Sequence, residues 1–105
     1  MRVELYDAQN NVIASVQTEE HNINYQLNVD PETFELKGLL YLSNLSISAQ
    51  DYIKLLRAIT KKTAAQFIIT NETDGSQIYI STLFLRDIAM QYQAGLLTFR
   101  ASILI

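Results

Sequence analysis

His21 is the one histidine of this 105-residue chain, and Glu19 and Glu20 stand beside it, a combination that could pass a proton or hold one edge of a metal ion. A single imidazole excludes a two-histidine metal centre within one chain, and a Ser-His-Asp arrangement would have to be built on this residue alone. Because the polar run 18–22 reads as a loop, His21 is expected to be solvated. Glu35 and Asp87 are the two carboxylates set among apolar neighbours. Asp87 is expected to serve as a buried structural partner for a basic side chain such as Arg100, in preference to acid–base catalysis. The stretch 71–76 carries Glu72, Asp74 and Gly75, in the manner of a calcium loop. Setting Gly75 at the sixth position puts Ser81 at the twelfth, where a bidentate carboxylate is required, so the match fails. Cysteine is absent, which removes thiolate ligands, disulfides and cysteine nucleophiles together. No catalytic, cofactor-binding or metal-binding residue is assigned, and the chain is not read as an enzyme.

Six tyrosines and four phenylalanines are the larger chemical resource. Tyr25, Tyr41, Phe67 and Phe99 fall at core or half-buried strand positions, whereas Tyr6, Tyr79 and Tyr92 could present rings at a surface. Base stacking on a sheet would need several cations among those rings, and Arg100 alone is a thin supply. The formal charge of −3 also argues against a nucleic-acid partner. The charges are unevenly spread. Glu4, Asp7, Glu19, Glu20, Asp30, Glu32 and Glu35 precede Lys37 with only Arg2 to oppose them, and Lys54, Arg57, Lys61 and Lys62 cluster further on. That cluster reads first as a solvated helix face and second as a docking surface for an acidic partner.

The element that carries the basic cluster is an α-helix expected over 48–62. Ser48 followed by Asp51 outlines a capping box, and cations close the last turn. Tyr52, Leu55, Leu56 and Ile59 make an apolar stripe, widened by Ile53, opposite Lys54, Arg57 and Lys61. Around it the pattern predicts strands. They fall at 1–6 and 12–16 about a turn at 7–11, then at 23–29, where Ile23, Tyr25, Leu27 and Val29 alternate with Asn24, Gln26 and Asn28. A Pro31 turn leads into a further strand from Phe34, in which Phe34, Leu36, Leu40 and Leu42 share one face and Gly38 marks a bulge or bend. Because 39–42 is apolar on both faces, the helix is expected to cover its second side. Strands at 67–70 and 77–81 flank an Asp-Gly hairpin signal. The run 83–92 mixes strand alternation with a helical turn, and 96–105 is a long strand with Leu97, Phe99, Ala101, Ile103 and Ile105 inward.

These elements define an α+β fold: a mostly antiparallel twisted sheet or half-open roll of seven or eight strands packed on one helix, in a single domain over 1–105. No signal-peptide pattern and no membrane-length apolar run is present, and cytoplasmic residence is expected. With so little chemistry and so much apolar strand, the leading functional expectation is a non-enzymatic protein-interaction or assembly module. Such a protein would form a homo-oligomer or a subunit of a phage- or secretion-type assembly, without nucleic acid, membrane or cofactor. Lys54, Arg57, Lys61, Leu96, Leu104 and Ile105 are its candidate interface residues. A small acidic inhibitor or immunity protein is one alternative. Another is a carrier of an apolar ligand in a pocket lined by Leu40, Tyr52, Leu55 and Phe99.

Overall fold

The computed structural model describes residues 1–105. Strands β1 (Arg2–Asp7) and β2 (Val12–Gln17) form a hairpin, and β3 (Ile23–Val29) and β4 (Leu36–Ser46) form a second. The helix α1 (Ala49–Thr60) follows, then β5 (Ala64–Thr70), β6 (Gln77–Ser81), β7 (Leu85–Gln93) and β8 (Leu96–Leu104). All pairings are antiparallel, in two four-stranded sheets of order β2-β1-β5-β6 and β3-β4-β8-β7. The α+β class and eight strands agree with the sequence pattern, but the strands divide into two sheets rather than one. Alternation with period 2 fixes which face of a strand is apolar, not which sheet it joins.

The two sheets face each other across a common core. Val3, Leu5, Val16, Phe67, Ile69 and Ile80 of the first sheet meet Leu40, Leu42, Leu97, Phe99, Ala101 and Ile103 of the second, all buried. Phe67 and Phe99 touch across the gap with ring centroids 5.1 Å apart and planes tilted by 57°. Burial of each such side chain stabilises the fold by roughly 1.5–3 kcal/mol.

The helix closes this interior at one side instead of covering the outer face of 39–42. Leu55 lines the space between the sheets with Ala14, Val16, Leu42 and Phe99, while Tyr41 on the far face is exposed. Its buried stripe is Leu55 and Ala58 with Tyr52 and Ile59 at the margins. Leu56 and Ile53, assigned inward from their spacing, are turned outward. Ser48 is the N-cap, its hydroxyl accepting from the Asp51 N–H at 3.1 Å. The entry of the helix is pinned to the β7–β8 hairpin. The Tyr92 hydroxyl donates to the Ile47 carbonyl at 2.8 Å, Tyr92 stacks on Tyr52 at 4.5 Å, and the Ile47 N–H donates to Gly95 O.

Two local expectations change and a third is resolved. Phe34 does not begin a strand: it has φ 59° and is 81% exposed, in the loop that precedes β4. Gly38 marks no bulge, since the β3–β4 register runs through it unbroken. It is required because a Cβ there would lie 1.9 Å from the Gln26 carbonyl oxygen. The bulge of β4 falls later, between Leu42 and Leu45, where Asn44 takes φ 52°. The ambiguous run 83–92 contains both of its signals, as a 3-10 turn at Thr82–Phe84 opens directly into β7.

Candidate interaction surfaces

The groups with catalytic potential are dispersed. His21 is exposed in a 3-10 turn at Glu20–Asn22. Glu35, read from sequence as embedded, is exposed and paired with Lys37 at 3.4 Å, which also lies 4.0 Å from Asp30. Asp87, expected to be a buried partner of Arg100, is exposed at φ 52° in a bulge of β7 between Arg86 and Ala89, with no cation within 4.0 Å. Asp tolerates positive φ better than most residues, and an apolar neighbourhood in sequence did not imply burial here.

The carboxylates whose titration shifts serve the turns. Backbone N–H donors from Asn11 and Gln9 hold the Asp7 carboxyl below its ordinary value of 3.8. The N–H of Glu32 does the same for Asp30, and the hydroxyl and N–H of Ser76 for Asp74. Each is a short polar side chain satisfying its own turn. Tyr6 is raised by partial desolvation and by the nearby Glu4 carboxylate.

The predicted interface residues do not form one surface. Lys54, Arg57 and Lys61 lie exposed on the outer side of α1, where Lys54 reaches Asp51 at 3.9 Å and the other two meet no carboxylate. Leu96 opens β8 beside Ser46 and Gln93, near the entry of the helix, whereas Leu104 closes the same strand beside Lys37. Leu104 points outward. Ile105 lies on the inner face and exchanges backbone hydrogen bonds with Leu36.

Ile105 belongs to a patch that the sequence reading did not assemble. Cross-strand register aligns Tyr25 with Leu40, Leu27 with Gly38 and Val29 with Leu36, and Leu40 and Gly38 with Ala101 and Ile103 of β8. This is the inner face of the second sheet. Cover from the first sheet is complete at Leu40, Ala101 and Ile103 and is lost beyond them: Leu27 is 37% exposed, Val29 59% and Ile105 48%, with Phe34 at the tip of the same hairpin. The second sheet therefore overhangs the core with an apolar inner surface. The alternation in 23–29 is legible in the sequence, but nothing in it says where the opposing sheet stops.

Elsewhere the interior is closed. The space among Val3, Leu55, Phe67 and Phe99 amounts to only ≈ 10 Å³, about one water, so an apolar ligand at the predicted pocket would have to part the sheets. An open groove of ≈ 590 Å³ runs between the end of α1 and the β7 bulge, lined by Ile59, Lys62, Leu83, Arg86, Asp87 and Ile88. Arg86 there donates to the Leu83 and Leu85 carbonyls. No helix is long and apolar enough to cross a membrane. Comparison with protein-family models, with curated proteins and with solved structures found no match to this chain.

Proposed function

We propose that this chain is a non-enzymatic interaction module that works by associating with itself, through the overhanging end of its second sheet. The observation that carries the proposal is the uncovered inner face at Leu27, Val29 and Ile105, beside the half-buried Leu36 and with Phe34 at the hairpin tip. Contiguous apolar surface at the end of a sheet is costly in water and is a usual site of protein association. Phe34 supports the reading in a second way. A bulky residue at positive φ is disfavoured, and at 81% exposure its ring recovers little from this chain. A partner that covers it would recover that cost. The dispersal of the carboxylates and of His21 supports a function without catalysis, and the lack of cysteine suits a reducing, cytoplasmic setting.

Light scattering across a wide concentration range tests the reading. The expected result is a mass that rises to that of a defined oligomer. The double substitution Val29→Ser with Phe34→Asn should raise its dissociation constant by roughly tenfold or more. Because both side chains are exposed and Asn suits positive φ, the isolated subunit should lose none of its thermal stability. A monomer at every concentration refutes the proposal.

A further inference from the structure

The overhang ends at a free sheet edge, and the four edges of the molecule are not equally guarded. Edge β2 has α1 packed beside it. Edge β6 is short, spanning only Gln77–Ser81. Edge β7 is broken by the Asp87 bulge and carries Arg86. Helix cover, shortness, bulges and charge are the means by which edges are kept from pairing. Edge β3, Ile23–Val29, has none of them: it is seven residues in unbroken register with β4, without charge, proline or bulge.

Its sequence, Ile-Asn-Tyr-Gln-Leu-Asn-Val, is symmetric in chemistry about Gln26. Laid antiparallel against a second copy with Gln26 opposite Gln26, it sets Asn24 against Asn28 on the outer face. On the inner face it sets Tyr25 against Leu27 and Ile23 against Val29. Amides meet amides, which can hydrogen-bond along a ladder, and apolar side chains meet apolar ones. A register slipped by one residue opposes amides to apolar groups, and centring on Tyr25 or Leu27 shortens the paired length. The Gln26 register also places the exposed Leu27 and Val29 of each copy beside Tyr25 and Ile23 of the other, which are half-buried against the core.

We infer that two copies pair through β3 about a two-fold axis at Gln26, joining their second sheets into one continuous eight-stranded sheet. The inference rests on the self-association proposed above and specifies the partner and register.

Because the chain has no cysteine, single-cysteine variants give a clean test. Directly opposed strand positions lie close enough for a disulfide with small adjustment. Gln26→Cys should form a covalent dimer on mild oxidation. Asn24→Cys and Asn28→Cys should each remain uncrosslinked alone and crosslink when mixed. Gln26→Lys and Gln26→Glu should each weaken the dimer roughly tenfold or more by opposing like charges, and should recombine as a heterodimer on mixing. All three positions are exposed, and circular dichroism checks that the variants fold. A native oligomer that is indifferent to Gln26→Lys and does not crosslink at position 26 overturns this register while leaving self-association in place. A wild-type protein that never exceeds monomer mass overturns both.

Discussion

Single residues decide the backbone at two places where side-chain type and conformation pull in different directions. Gly38 runs through a regular stretch of β4, yet β3 crosses so close that a methyl group would meet the Gln26 carbonyl at 1.9 Å. Gly38→Ala should therefore destabilise the protein by about 1–3 kcal/mol, through displacement of the β3–β4 pair, which denaturant titration would measure. Ala94 is the converse case. It occupies φ 52° beside Gly95 at φ 79° in the β7–β8 connection, a pair of conformations that favours Asn-Gly. Ala94→Asn should stabilise by about 0.5–1 kcal/mol on relief of left-handed strain, seen as a higher denaturation midpoint. A loss of stability on that change would refute the account of the turn.

At the scale of elements, hairpins are stitched by carboxylates and one helix by its cap. Asp7, Asp30 and Asp74 each accept hydrogen bonds in the turn they occupy, and each has its folded pKa depressed below 3.8. The ionised form is thus the one the fold prefers. The stability this supplies is fully present above the unfolded value and is lost as pH falls through the depressed folded values. Thermal melts should accordingly be flat from neutral pH down to about 5 and should fall below about 4. Replacing Asp30 and Asp74 with Asn should flatten that acid limb; an unchanged limb would place acid sensitivity elsewhere. The helix depends on a different contact. Its buried side is only Leu55 and Ala58 with flanking Tyr52 and Ile59, so the stacking of Tyr52 on Tyr92 supplies much of what orients it.

The whole molecule is a pair of sheets of unequal reach, and its functional reading depends on that mismatch. Local signals were sufficient for much of the chain: the Ser48 cap, the turns at Asp7 and Asp74, and the alternation of 23–29 and of 96–104 all follow from residue type and short-range spacing. Leu104 and Ile105 fall on opposite faces of β8, as the alternation of that strand implies, with Ile105 inward beside Leu36. Glu35, Asp87, Leu56 and Phe34 were misplaced for two physical reasons. Apolar neighbours in sequence indicate burial only if another element lies over them, and positive φ at Phe34 and Asp87 turns the chain away from strand geometry there. What the sequence determined alone was therefore the inventory of helix, hairpins and apolar faces, because those depend on interactions within a few residues. Tertiary structure alone decided that the strands divide into two sheets and that the second outreaches the first. It also left β3 as the unguarded edge, because which apolar faces meet, and where their overlap ends, is set by the packing of segments far apart in the chain.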